Sequence, residues 1–590
     1  MKNRTTYIIA TVLLLFVFLI TILSIREDSF TFDEVAHVAA GYSYLTQKDY
    51  RMNPEHPPLI KDLAALPLLF LHLNFPADSP TWTQATPAVW WHQFDFGFQF
   101  LYHSGNNPDK ILFWSRIPMI LVLLFLGWFM FIWSKKLFGN KAALLSVFLF
   151  AFFPIFLAHG RLVTTDIGAA LGVIISTYFW LRFLKNPDTK SIFLAGIMFG
   201  IAMLLKFSLI LLLPFFFVIT LVYVWLKVEG SKKYLKYIGF SLLSGIIGLV
   251  FIIWPVYLYH TWNYPIEKQV QDTQDLLATT AIPQSLANID IALAKNPILR
   301  PLGQYTLGLF TAMNRSTSGN TTYFLGQISD KGWRGIYFPV VYLIKNPLSF
   351  HLLTLIALLY AAFLIKRPFW KDICSRKKEW IKNHFTEFSM LFFIVFYWMI
   401  SLSSELNIGV RHLMPVFPFT IMLVSGVIAN FLKEPFLKLK YSLVGILLLW
   451  QALSVIAIYP HFLAYFNELV GGPDKGYLYA VDSNLDWGQD LKRLAVWANE
   501  NKIDKIYLDY FGGGDANYYL GEKFIQWSGS KDPNEIPKGS YFAVSVTQMQ
   551  GGRAKPAKGF SQSTSYYNWL SNYEPPVAKI GYSIFVYKIQ

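Results

Sequence analysis

The chain has 590 residues, of which 54% are hydrophobic, 18% aromatic and 15% charged, with a mean hydropathy of +0.38. That is too apolar for an ordinary water-soluble globular protein and indicates a membrane protein. The formal charge of +15 raises nucleic acid as a partner, whereas the single cysteine, Cys374, excludes an intramolecular disulfide and a zinc core built on cysteine pairs.

Apolar runs able to cross about 30 Å of hydrocarbon fall near 7–24, 111–133, 142–158, 165–184, 191–205, 207–226, 235–258, 348–366, 387–404, 413–432 and 441–459. The spacing predicts about 11 transmembrane helices. The first run follows Lys2 and Arg4 and has no small-residue cleavage site before Arg26, so it reads as a retained span. A division at Lys206 splits the long apolar stretch 191–226 into two crossings.

Lysine and arginine crowd the connections at 1–6, 134–141, 185–190, 227–234, 366–385 and 433–440. The short connections on the opposite side, 159–165, around 206 and 405–412, carry only Arg161, Lys206 and Arg411. The positive-inside rule then places the N-terminus in the cytoplasm and the C-terminus outside the cell's inner membrane. The basic charge faces anionic membrane lipids, and no nucleic-acid partner is expected.

Three large segments fall outside on this topology, near 25–110, 259–343 and 461–590. The first contains an apolar stretch at 59–73 that is too short to span and suits the membrane interface. The second is a long polar connection, of the kind used as a lid or binding loop. The third reads as a helix at 489–501, a strand at 505–510, the turn FGGGD at 511–515, and strands at 540–547 and 582–587. This division gives a membrane domain, 1–460, and a small extracytoplasmic α/β domain, 461–590. FGGGD lacks the spacing and the Lys-Ser/Thr of a phosphate-binding loop.

Candidate chemistry begins in TFDEVAHVAAGYSYLTQKDYRMNPEHPPL, Thr31 to Leu59, where Asp33 and Glu34 are adjacent, His37 lies one helical turn on, and Glu55 and His56 follow in a proline-rich break. Thr31 and Glu34 also fit a capping box. The turn HGRLVTTD adds His159, Arg161 and Asp166, Lys206 sits at the next outer hairpin, and NIGVRHLMP adds Arg411 and His412. Taken singly, Arg161 fits a snorkelling residue, Asp166 a helix cap and Lys206 a span end. Topology nevertheless gathers them on one side. Carboxylates beside fixed cations at a membrane surface suit activation of a neutral hydroxyl while an anionic phosphate departs, which is the chemistry of lipid-linked sugar phosphates. A transporter or flippase of lipid-linked saccharides is the alternative; it calls for charges at mid-membrane and internal symmetry.

The succession FDEVAH, EHPPLIK, GRLVTTD and RHLMPVFPF resembles the protein O-mannosyltransferase and aminoarabinose transferase superfamily, most closely over the first 230 residues. The resemblance implies a GT-C-like, α-helical polytopic enzyme that moves a sugar from a polyprenyl-phosphate donor to an unknown acceptor. It implies Asp33 as catalytic base, Glu34 as its acidic neighbour, Asp166 as a second acid, and Arg161 with Lys206 as phosphate ligands, joined by Arg411. His56 and Lys61 match an HPPL-K element that supports the site, and His37 lies beside it. YFNELVGGP and VDSNLDWGQDLKRL resemble a bacterial branch with a small exported C-terminal domain. Asp482, Asn484 and Asp486 begin like a calcium loop, but Gly488 comes one place late and Arg493 replaces the closing glutamate. Asp482, Asp486 and Asp490 therefore either hold the domain to the membrane part or line the acceptor site. No cofactor is required on this reading. A divalent metal stays open, with Asp33, Glu34, His37 and His56 as ligands, although their spacing matches no specific metal motif.

Overall fold

The computed structural model describes residues 3–228, 230–365, 372–433 and 435–590. Lys2 and the 366–371 part of one basic connection lie outside the described residues. Among those residues, eight helices are long and apolar enough to cross a membrane: Asn3–Ser24, Pro108–Phe138, Thr165–Lys185, Phe207–Lys227, Lys232–His260, Phe385–Ser403, Val410–Phe431 and Leu437–Ala457. Tyr337–Lys345 and Leu348–Phe363, bent by 108°, make a ninth span if joined, and Asn140–Ala151 and Thr189–Leu205 are shorter apolar helices. The chain is a multi-pass membrane protein, and each apolar run of the sequence has its helix.

The runs that fall short of a full span do so for local reasons. A proline disfavours helical geometry in the residue before it. Phe153, before Pro154, is extended and ends the 142–158 run early, and Asn346, before Pro347, is extended at the bend. Lys206 is also extended, at φ −160° and ψ 135°, and separates Thr189–Leu205 from the next helix.

The outer segments are largely helical. Helix Phe32–Gln47 packs on helix Leu59–Ala65 at Gly41, where a Cβ would stand 2.2 Å from the Lys61 carbonyl oxygen, so only glycine permits the approach. The polar 259–343 segment forms helices Ile266–Ala278, Gln284–Lys295 and Arg300–Ser318 and a short hairpin, Thr322–Phe324 with Gln327–Ser329. The helices share a small core of Leu276, Leu277, Ala287 and Leu307, so their apolar stripes are too narrow to stand out in the polar sequence.

The C-terminal sheet has five strands in the spatial order Phe524–Gln526, Ile506–Asp509, Tyr541–Ser545, Ile584–Lys588 and Ala578–Ile580. The first three run parallel and the last two pair antiparallel. Successive residues of a strand face opposite sides. Accordingly Ala543, Ile584 and Val586 meet helix Leu491–Glu500 in a local core, while Phe542, Val544, Phe585 and Tyr587 join the main core shared with the membrane part. Residues 462–487 contribute Phe462, Tyr465 and Trp487 to the same main core.

Candidate active site

Asp33 is the second residue of helix Phe32–Gln47, where the positive end of the helix dipole favours a carboxylate. Its side chain is 25% exposed, and its Oδ2 accepts a hydrogen bond from Arg411 Nη1 at 3.2 Å. The same Nη1 lies 3.2 Å from Oδ2 of Asp166, whose Oδ1 pairs with Lys206 Nζ at 2.5 Å. Asp166 is buried in the first turn of helix Thr165–Lys185, so it anchors two cations while Asp33 keeps Oδ1 without a protein partner among the described residues. Four residues from four distant parts of the chain thus meet at one end of the spans.

Glu34, next to Asp33 in sequence, faces the other way. It is fully buried and accepts hydrogen bonds from the Thr31 amide and hydroxyl, the Val163 amide, and Arg116 Nε and Nη2 at 2.6–3.0 Å. Burial alone would raise its carboxyl, but Arg116 and these donors outweigh it and hold it below the usual range. Behind it Asp28 meets Arg116, Arg161 and Arg493. Burial opposes ionisation there too, yet the Arg161, Arg493 and Arg116 guanidiniums hold Asp28 at about 2. Arg161 is 2% exposed and donates to Asp28 and the Ser24 carbonyl, which places it in this buried network and not beside Lys206.

The HPPL-K element is a buttress. Lys61 is completely buried, and its Nζ donates to Tyr44 Oη, to the Asn53 carbonyl and side chain, and to the His56 carbonyl at 2.8–3.0 Å. Burial pushes its amine well below the usual lysine value. His37 bonds the Val163 carbonyl through Nδ1 at 2.8 Å, and its ring meets that of His56 edge-on at 4.9 Å. Burial keeps both imidazoles on the neutral side. With Glu34 turned away and His37 bonded to a carbonyl, the four residues considered as metal ligands are not assembled, and no group of three or more His, Cys, Asp or Glu fit to hold a metal ion occurs among the described residues.

The C-terminal segment supplies a wall of the site. Ser483 Oγ accepts from Arg411 Nε at 3.1 Å, Asn484 Oδ1 accepts from the Val410 amide at 3.0 Å, and the Arg411 guanidinium lies over Trp487 at 4.1 Å. The same strip grips the start of the Asp33 helix, since the Phe32 amide donates to the Trp487 carbonyl at 3.0 Å and the Ser29 amide to that of Gln489 at 2.9 Å. FGGGD closes from the other side, and a Cβ on Gly513 would stand 2.4 Å from the Thr31 carbonyl oxygen. Asp482 faces Arg411, and burial, opposed by that cation, raises its carboxyl to about 6. Asp486 is buried with Oδ2 accepting the Thr547 amide at 2.9 Å and Oδ1 without a partner among the described residues; burial lifts it to about 8. Asp490 bonds Arg493 and Ser583. Ser483, Asn484 and Trp487 were not among the site residues expected from sequence, because their partners, Val410 and Arg411, are some seventy residues away along the chain.

Residues 109–256 match the family of dolichyl-phosphate-mannose-protein mannosyltransferases. The matched segment includes Arg116, Arg161, Asp166 and Lys206, and the match agrees with the resemblance in the sequence. The structure of this chain is similar to the Archaeoglobus fulgidus oligosaccharyltransferase in its apo form, with 12% identity, 93% of this chain and 70% of that one covered, and a TM-score of 0.48. It is also similar to ArnT of Cupriavidus metallidurans bound to undecaprenyl phosphate, at 11% identity, 98% and 97% coverage and a TM-score of 0.31. For the S. cerevisiae protein O-mannosyltransferase complex bound to its sugar donor the values are 17% identity, 45% and 34% coverage and a TM-score of 0.34. A search of curated proteins gives no match.

Proposed function

We propose that the chain transfers a sugar from a polyprenyl-phosphate donor to a hydroxyl of a protein, lipid or glycan on the outer face of the cytoplasmic membrane, with inversion. The observation that carries this reading is Arg411 bridging Asp33 and Asp166 while Lys206 pairs with Asp166. Asp33 Oδ1 takes the proton of the acceptor hydroxyl as that oxygen bonds to the anomeric carbon. The bond from that carbon to the phosphate oxygen breaks, and its electron pair leaves with the lipid phosphate. Lys206 and Arg411, oriented by Asp166, balance the charge that develops there. A single base suffices for inversion, so a second carboxylate at the 5–5.5 Å of retaining enzymes is not needed.

Arg161 and Glu34 act through the buried network that fixes the start of the Asp33 helix, and Lys61 and His56 through the turn beside it. The exported part, 461–590, completes the site through Asp482 and its neighbours, with Asp486 holding the strip in place. The charges gather at span ends instead of midway along the spans, which favours transfer over the flippase alternative.

The test is release of polyprenyl phosphate from a polyprenyl-phosphate sugar by the purified full-length protein, with cell-envelope extract as acceptor source. Asp33→Asn is expected to lower turnover about 100- to 10,000-fold. Near wild-type turnover in folded Asp33→Asn sinks the assignment.

A further inference from the structure

A second hollow borders this site, and no step above uses it. Its volume is about 200 Å³, and it is walled by residues of 51–55, 86–93, 276–280 and 311–318. All four segments belong to the outer connections and none to a helix both long and apolar enough to span. The hollow lies near the start of the Asp33 helix. Phe32, the neighbour of Asp33, stacks on the lining residue Trp90 at 6.1 Å, and Glu55, another lining residue, precedes His56. The Arg315 charge on its far wall acts on both His56 and Asp482.

Its walls carry unsatisfied polar capacity of both signs. Glu55 Oε1 already accepts from Trp90 Nε1 at 3.1 Å and Gln93 Nε2 at 3.2 Å, whereas Oε2 accepts nothing among the described residues. The Arg315 guanidinium lies over Trp90 at 4.9 Å and pairs with no carboxylate among those residues. A half-buried guanidinium over an indole, with its N–H fork open, suits bidentate contact with an anion. The free Glu55 oxygen and the amide of Asn314, whose Oδ1 alone is engaged by the Ala281 amide, suit hydroxyl groups. The hollow is smaller than the ~300–1,000 Å³ of a site that encloses a whole small molecule. It therefore suits one residue of a larger ligand.

We propose that this hollow is the acceptor subsite, and that it takes an anionic sugar residue, a sugar bearing a carboxylate or phosphate, with Arg315 on the anion and Glu55 on a hydroxyl. The proposal rests on the transferase reading above. The lipid phosphate belongs with Lys206 and Arg411 at span ends, so a ligand enclosed wholly by outer connections arrives from the aqueous side.

Full-length protein in nanodiscs, with glucuronate, glucose 6-phosphate and glucose as probes in saturation-transfer NMR and calorimetry, tests this. Both anionic sugars are expected to bind at least tenfold more tightly than glucose. Arg315→Gln should abolish that preference, and Arg315→Lys, which keeps the charge, should retain part of it. Equal binding of the three sugars, binding of none, or an anion preference that survives Arg315→Gln overturns the proposal. So does displacement of glucuronate by a polyprenyl-phosphate sugar, which would make the hollow the donor's sugar site. If Arg315→Gln does not fold, Glu55→Gln replaces it, and unchanged affinity for all three sugars then counts against the subsite. Undecaprenyl phosphate binding to wild type and Lys206→Gln is measured separately. Loss of that difference counts against the transferase reading and leaves the sugar result standing on its own.

Discussion

Two clusters of acids and cations lie back to back at the start of helix Phe32–Gln47, and consecutive residues belong to different ones. Glu34 joins Asp28, Arg116, Arg161 and Arg493, with Asp28, Glu34 and Arg116 wholly buried. Asp33 joins Asp166, Lys206 and Arg411, where Asp33 and Lys206 keep 25% and 16% exposure. Both clusters pair opposite charges; they differ in saturation. In the first each carboxylate has donors from several directions, so it is a brace. In the second a carboxylate oxygen and a lysine remain accessible to a ligand, so it can do chemistry. Burial and unfilled hydrogen-bond capacity separate a structural ion network from a reactive one, and neighbouring positions on a helix, about 100° apart, suffice to divide them.

The sharpest way to break the comparison is to neutralise one residue of each cluster and read both stability and turnover. Asp33→Asn should lower turnover about 100- to 10,000-fold, yet shift unfolding free energy by no more than about 1 kcal/mol, since its ion pair is partly open to solvent. Arg116→Met should do the reverse first. It leaves Glu34 and part of Asp28 as buried unpaired charge, at a cost of about 3–5 kcal/mol, seen as a lowered melting temperature or loss of folded protein in detergent. If Arg116→Met melts like wild type, the brace reading fails.

A pH series sharpens the same contrast. Asp486 is raised to about 8, so the folded state holds its proton where the unfolded chain, with a carboxyl near 3.9, has lost it. Its contribution to stability is complete below about 4 and declines as pH rises toward 8, by at most about 1.4 kcal/mol per unit. Asp28, at about 2, has the opposite sign, and its contribution is present above about 4 and lost as pH falls toward 2. Asp486→Asn should therefore flatten a melting-temperature profile between about pH 4 and 8 and leave it unchanged below about 4. The smallest effect on transfer is expected from Trp487→Leu. Removing the indole under Arg411 forfeits a cation–π contact of about 0.5–2 kcal/mol, so transfer should fall a few-fold to about thirtyfold, and because Trp487 is buried in the main core the melting temperature should fall as well.

Much of this was legible in the order of residues. Spans require apolar length, so their positions followed from composition, and Lys206 already marked one break, whereas the breaks at Pro154 and Pro347 emerged only in the structure. The edge strands Phe524–Gln526 and Ala578–Ile580, three residues each, were too short to carry a period, and the amphipathic outer helices were masked by their polar faces. Within the site, acids and cations near outer span ends could be chosen from sequence because a charge at a membrane surface needs a reason.

Sequence by itself determined that this is a multi-pass membrane protein with a small α/β portion, and which ionisable residues fall near span ends. Hydrophobic length and charge placement are properties of a linear chain, so they can be read there. Only the tertiary structure decided which charge meets which. Asp28 and Glu34 close on Arg116 and Arg161, Asp33 stays open on Arg411, and Ser483 and Trp487 return from the far end of the chain to hold that arginine. Pairing depends on distances of a few ångströms between segments hundreds of residues apart, set by the packing of the whole core.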